Sequence, residues 1–205
     1  MLLPKDFHNL WLGKPAFVLA SGPSLTEADV QLVHDVAQPR GWPVLVTNTT
    51  FKLARWADAL FFHDRTWWKV HGLTVKRTFP GLCVTVDAVR DPQVLILPRN
   101  LINTYRNSGS GAIGFAVYAG CHKVVLLGLD GKFAADGTRH WHGDHPKGLG
   151  NAGSLPMIKS KFPEQAKDLL AKGIDVVNAT RDTAVTCFRQ QALEDVLTEL
   201  TGAAP

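Results

Sequence analysis

Three imidazoles and a carboxylate crowd into one short span, His140-Trp141-His142-Gly143-Asp144-His145-Pro146. Imidazole titrates near neutrality and ligates metals, so this span can supply a general base or a metal site. As ligands, H-x-H-x-x-H with Asp144 resembles many zinc or manganese donor sets. The spacing is not the helical H-E-x-x-H, and Gly143 and Pro146 place the cluster in an irregular loop. A purely structural loop is the third reading. Two further carboxylates, Asp64 and Asp130, each follow an apolar run, where a metal, a hydroxyl or a transferred proton could be held.

Two glycine turns could hold an anion. In Ala16 to Leu25, AFVLASGPSL, the unbroken apolar run Phe17 to Ala20 reads as a strand covered on both faces. Ser21-Gly22-Pro23-Ser24 then breaks it: Gly22 permits unusual backbone angles, Pro23 suits a first helical turn, and Ser24 can cap the amides behind it. The second turn, Asn107-Ser108-Gly109-Ser110-Gly111, opens a helix of small residues, Ala112 to Ala119. Unpaired amides and the helix dipole both favour phosphate or carboxylate at such starts. The first turn is neither G-x-G-x-x-G nor a P-loop, and nothing in the chain resembles Walker A, which speaks against a P-loop kinase.

The elements that must position these groups follow a strand, crossover helix, strand pattern. Thr26 to Ala37 has helical spacing and ends at Pro39-Arg40-Gly41. The strand Pro43 to Thr47 delivers Asn48 and Thr49 to its carboxyl end, where ligands sit in open parallel sheets. The Asn48 amide suits a nucleobase or ribose edge; alternatively it makes an Asx turn capping a short helix, Phe51 to Trp56. Further strands are expected at Ala57 to Phe62, Leu82 to Val86, Val94 to Leu97, Lys123 to Leu127 and Ile174 to Val177, the last carrying Asn178 at its end. After Phe62 come His63-Asp64-Arg65, where Arg65 could pair with phosphate, and Trp67-Trp68, which read as core. Pro163 breaks Met157 to Ala171 into a kinked helix or two pieces, and Gln190 to Leu200 closes the chain as an amphipathic helix. Residues 1–14 are a lead-in whose Phe7, Leu10, Trp11 and Leu12 are expected on the sheet edge. Residues 131–155 form a long glycine-rich loop of functional length, and 201–205 a frayed tail. The fold class is α/β: one doubly wound, Rossmann-like domain over 1–205 with a mostly parallel sheet.

Composition narrows the partners. The net charge of +4 is scattered, with no Lys/Arg run, so a nucleic-acid stripe is not supported while an anionic small substrate is. Cys83, Cys121 and Cys187 are odd in number, far apart and in apolar surroundings, which reads as reduced core thiols in a cytoplasmic protein. No apolar run approaches membrane-spanning length.

Taken together, ASGPSL, TNTTFK, NSGSGAIGFAVYAG before VVLLGLD, and IDVVNAT…TCF resemble two related groups: the family 42 sialyltransferases of bacteria and the 6-hydroxymethylpterin pyrophosphokinase-like proteins of archaea. FFHDRTWWKVH with HWHGDHP is similar to uncharacterised phage and prophage proteins of that superfamily. The resemblance spans Ala16 to Phe188. It implies a cytidine nucleotide donor bound around Ser21, Asn48 and Asn107 to Gly111, with His140, His142 or His145 as a metal-independent base. From the pyrophosphokinase side it implies ATP with a divalent ion such as Mg²⁺ on Asp64 and Asp130. The chain departs from the sialyltransferases at Ser21, where they carry Asn, and at Gly131-Lys132-Phe133, where no tyrosine answers theirs.

The expected function is a nucleotide-dependent transferase, moving a glycosyl or pyrophosphoryl group from a CMP-type donor or ATP to a small anionic or hydroxyl acceptor. Catalysis would rest on His140, His142, His145 and Asp130. The donor would lie on Ser21 to Ser24, Asn48, Thr49, Asn107 to Gly111 and Asn178, with Asp64, Asp130 and Asp144 available to a metal. Two other readings stand beside it: a non-catalytic phage or prophage accessory protein that binds a nucleotide or partner, and a metal-dependent hydrolase built on the histidine loop.

Overall fold

A computed structural model of the chain describes residues 2–146, 148–150 and 155–202. Eight strands form one sheet: β1 Pro15–Leu19, β2 Val44–Thr47, β3 Ala59–Phe61, β4 Leu82–Thr85, β5 Val94–Ile96, β6 Lys123–Leu127, β7 Asp175–Asn178 and β8 Arg189–Gln190. Their spatial order is β5-β4-β3-β2-β1-β6-β7-β8, and every neighbouring pair is parallel. The chain winds outward from β1 to β5, returns across the sheet to β6, and winds outward again. β1 and β6 are therefore the pair whose connections leave in opposite directions, with Phe17 opposite Val125 and Leu19 opposite Leu127. A cleft at the carboxyl ends of such a pair is the usual ligand position in open parallel sheets.

Alternation along the buried strands sorts side chains to two cores. Phe17, Leu19, Val44 and Val46 face α1 Glu27–Ala37, α2 Arg65–Thr78 and α6 Leu193–Thr201. Ala16, Val18, Leu45 and Leu126 face α3 Ser108–Tyr118 and α5 Phe162–Ala171, while α4 Leu155–Lys159 precedes α5. Helices on both faces account for strands that are apolar throughout. The doubly wound expectation holds, and the sheet is wholly, not mostly, parallel.

Several local expectations are corrected. α1 begins at Glu27, and its cap is Thr26, whose Oγ1 accepts from the Asp29 amide at 3.1 Å; Ser24 lies outside the helix. α3 begins at Ser108, four residues before the expected start, because Asn107 caps it. The short helix after β2 is a 3₁₀ turn over Asn48–Lys52. α2 and the two-residue edge strand β8 were not expected. Of the two readings of Met157 to Ala171, the two pieces hold: α4 ends at Lys159 and α5 starts at Phe162, with Pro163 in its first turn. The lead-in packs on the end of α3, with Asn9, Trp11 and Gly13 amides donating to Tyr118, Ala119 and Gly120 carbonyls, while Leu12 points to solvent. Cys83 and Cys121 are buried thiols pushed up to about 12 by burial, but Cys187 is exposed. The tail residues 203–205 and loop residues 147 and 151–154 lie outside the described residues. Among the described residues no helix is long and apolar enough to cross a membrane.

The small residues of α3 let it lie close on the sheet. A Cβ on Gly111 would sit 2.1 Å from the Phe61 ring, whereas one on Gly109 would meet only the flexible tip of Leu129 at 3.2 Å and Asn107 Oδ1 at 3.3 Å. In urea denaturation Gly111→Ala is expected to cost about 1–3 kcal/mol by overpacking, and Gly109→Ala to stay within about 1 kcal/mol of the parent.

Candidate functional site

A cavity of about 600 Å³ opens over the carboxyl ends of β1, β2, β3 and β6. Its floor is made where the turns after β1 and β6 meet. The Gly22 amide donates to the Gly128 carbonyl at 2.8 Å, and the Ser24 amide to Asp130 Oδ2 at 2.9 Å. Gly22 is required here by space, since its φ is not left-handed: a Cβ would lie 1.9 Å from Asp130 Oδ1 and 2.5 Å from the Gly128 oxygen. Asp130 is 4 % exposed, and its Oδ1 has no hydrogen-bond partner among the described residues. Burial raises its carboxyl to about 6 against the opposing donors of Ser24.

The facing wall is the start of α3. Asn107 Oδ1 accepts from the Ser110 amide at 2.7 Å, and its Nδ2 donates to Ser110 Oγ at 2.8 Å. Ser108 and Gly109 are left at the cavity, in the first turn where helical amides have no intrahelical acceptor. Ser108 Oγ accepts from the His63 amide at 3.1 Å and donates to Asn48 Oδ1 at 3.2 Å, so the ends of β2 and β3 fix the helix start. Asn48 (φ 46°), Tyr105 (45°) and Arg106 (64°) all have left-handed backbone, and Asn48 and Arg106 line the cavity. Such strain costs on the order of 1–3 kcal/mol per residue and gathers at functional sites. Arg106 lines the same cavity as Ser108 and Gly109.

The histidine loop lies over the opening, and Trp141 holds it there. The Trp141 amide donates to the Ser21 carbonyl at 3.3 Å and its indole to Thr50 Oγ1 at 3.2 Å; Thr50 Oγ1 also donates to Ala20 O and is 2.9 Å from Ser21 Oγ. The ring centroids of His140, His142 and His145 are 4.7 to 5.1 Å apart. Burial, then neighbouring imidazoles, lowers His140 and brings His142 to about 4; burial also lowers His145. All three rings are thus held neutral at pH 7. His140 and His145 line the cavity, and His142 does not.

The remaining expected residues divide. Ser21, Gly22, Asn48, Asp64, Asn107, Ser108, Gly109 and Asp130 line the cavity. Thr49 turns into the core, where its Oγ1 accepts from Trp67 Nε1, and Ser110 and Gly111 face the sheet. Asn178 is 1 % exposed and is occupied by Thr183, Val185 and Thr180, a clamp on the turn after β7. Pro23 and Ser24 do not line the cavity, and Ser24 acts on its floor through its amide hydrogen bond to Asp130. Asp144 is paired with Arg139 at the surface. Among the described residues no group of three or more His, Cys, Asp or Glu side chains is arranged to hold a metal ion. The cationic lining of Arg106, Lys132 and Arg139 was missed; of these, only Arg106 carried a signal, its place just before the glycine turn.

Sheet order and cleft together define a doubly wound α/β protein with its site at the topological switch point. No family model matches the chain, and no curated protein does. A solved structure, a short chain dehydrogenase from Mycobacterium smegmatis, aligns over 94% of this chain and 86% of its own length, with 14% identity and a TM-score of 0.30. A likeness that slight says nothing about activity.

Asp130 links the site to stability. Its folded pKa near 6 exceeds the unfolded value of about 4, so the native state holds the extra proton and stability falls as pH rises from about 4 to about 6. Asp130→Asn removes that loss. Melts at pH 7.5 are expected to show a gain of up to about 3 kcal/mol, vanishing near pH 4; an equal gain at both values would exclude the titration.

Proposed function

We propose that the chain is a nucleotide-dependent transferase. What supports this most is that one cavity holds an anion-ready wall, the Ser108 and Gly109 amides with Arg106, and two neutral imidazoles, His140 and His145. The donor phosphate lies against the α3 start, where amides and dipole meet its charge, and Asn48 meets the nucleoside. An acceptor hydroxyl then attacks the electrophilic carbon or phosphorus of the donor. Its proton passes to a loop imidazole. As the new bond to oxygen forms, the bond to the leaving group breaks, and that electron pair remains on the departing phosphate oxygen beside Arg106.

Neutral imidazole is the state that accepts a proton, and the loop overhead limits water that would hydrolyse the donor. A CMP-type donor fits this scheme without a metal. An ATP donor would bring a divalent ion on its phosphates; among the described residues the side chains do not assemble a metal site, and no step is routed through one.

A thermal-shift screen of CMP, CTP, ATP, UDP-sugars and CMP-sialic acid, each with and without Mg²⁺ or Mn²⁺, tests the reading, since a ligand selective for the folded state raises the melting temperature. At least one nucleotide is expected to stabilise the parent, and Arg106→Ala to lose most of that shift. With that donor, His140→Ala or His145→Ala is expected to cut turnover by about 100-fold or more while leaving the shift in place. If no nucleotide shifts the melt, the proposal fails.

Because burial holds these imidazoles below 6.5, the base stays unprotonated as pH falls through 6.5. The acid limb of kcat/KM is expected below that value, and a limb at or above 6.5 would remove both histidines from the role.

A further inference from the structure

The motif His63-Asp64-Arg65 is only partly used by the site above. It also lines a second cavity, of about 580 Å³, at the carboxyl ends of β3 and β4. Thr66, Val86, Asp87 and Arg99 complete most of its wall, and His63 and Asp64 are shared with the first cavity. We propose that this second cavity is the acceptor subsite, and that it takes a small molecule bearing an acid group, carboxylate or phosphate, together with hydroxyls.

The charges in the cavity support this choice. Asp87 is answered by Arg99, whose Nη2 lies 2.6 Å from Oδ1, and faces His63 Nδ1 at 3.5 Å. Asp64 accepts from the Thr66 amide at 2.6 Å, its charge set at the positive end of α2. Arg65 is exposed and makes no ion pair among the described residues, so its guanidinium is the charge left for a ligand. Arg99 is 60 % exposed at its side chain and can share its second edge with the same acid. The carboxylates of Asp64 and Asp87, which only accept when ionised, suit the hydroxyls of such a molecule.

His63 is built into the partition. Its Nε2 is 2.9 Å from Thr104 Oγ1, and Thr104 Oγ1 accepts from the Arg106 amide at 3.4 Å, so the ring braces the left-handed turn before α3. An acceptor anchored on Arg65 would direct its far end past His63 and Asp64 into the first cavity.

The inference rests on the transferase reading for the word acceptor, but its binding claim can be tested alone. Glycerol 3-phosphate, glycerate and glycerol would be titrated into ¹⁵N-labelled protein, following the amides of Arg65 and Thr66 beside those of Ser108 and Gly109. Both acids are expected to move the Arg65 and Thr66 resonances saturably and glycerol is not; a response to only one acid identifies which acid group is taken. Arg65→Ala is expected to weaken that site about tenfold, while Arg106→Ala leaves it unchanged and affects only Ser108 and Gly109. Unchanged binding in both Arg65→Ala and Arg65→Glu, or equal binding of glycerol, would overturn the proposal. Arg65-dependent shifts at Arg65 and Thr66, with Ser108 and Gly109 resonances that Arg106→Ala leaves unaffected, support this subsite and count against the donor wall.

Discussion

The turn after β1 and the turn after β6 are pressed together at Gly22, where a Cβ would run into the carboxyl of Asp130 and the Gly128 carbonyl. No other residue type fits at position 22 without moving Asp130 or the Gly128 carbonyl. The contact shuts the floor of the cleft that opens where the two strands send their chains apart. It also holds a carboxyl in a place where one oxygen has an amide donor and the other has none. Burial disfavours the charged form there and raises the carboxyl to about 6. The stability cost of that carboxyl is a consequence of closing the floor with so little room.

From that floor the rest of the site follows by connection. α3 must cross back from β5, at one side of the sheet, to reach β6 beside β1. Gly111 lets it pass tightly over Phe61 of β3, so its first turn stands over the ends of β2 and β3, facing the Asp130 turn across the cleft. The histidine loop leaves β6 on the other side and is returned over the opening by Trp141, which binds the same Ser21 and Thr50 groups that end β1 and begin the turn after β2. The two walls and the cover therefore refer to one set of strand ends, and a shift in any of these strands would move all three.

Much of this was legible because buried parallel strands advertise themselves: AFVLA, PVLVT and KVVLL are continuous apolar runs, and each ends in polar residues that do reach the rim. α2 was hidden because its buried residues are Trp67, Trp68, Gly72 and Val75, an adjacent aromatic pair and a glycine. Gly72 packs under Trp68, with its would-be Cβ 2.9 Å from the indole, so a position that reads as a helix breaker is a packing position. β8 has two exposed residues and no pattern to detect. Asn178 and Thr49 sit at strand ends like Asn48, but residue type does not say which way a side chain turns at a strand end. Burial by Trp67, and the return of residues 179–185, took those two inward. Arg139 and Lys132 reach the cavity only because their loop is folded back, a tertiary fact with no local signature.

The same folding back decides the division of labour among the charges. Three imidazoles brought to about 5 Å from one another, with Lys52 nearby, cannot share positive charge cheaply in a partly buried setting. They remain neutral, and the cationic side chains of the cleft are Arg106, Lys132 and Arg139. Lys132 is tied to Asp182 and Arg139 to Asp144. Arg106 alone of the three has no carboxylate partner among the described residues, and it is the one held on strained backbone at the helix start. Attraction for an anion and capacity to accept a proton are thereby kept on different side chains, so a negatively charged ligand can be held without protonating the groups that would have to act on it.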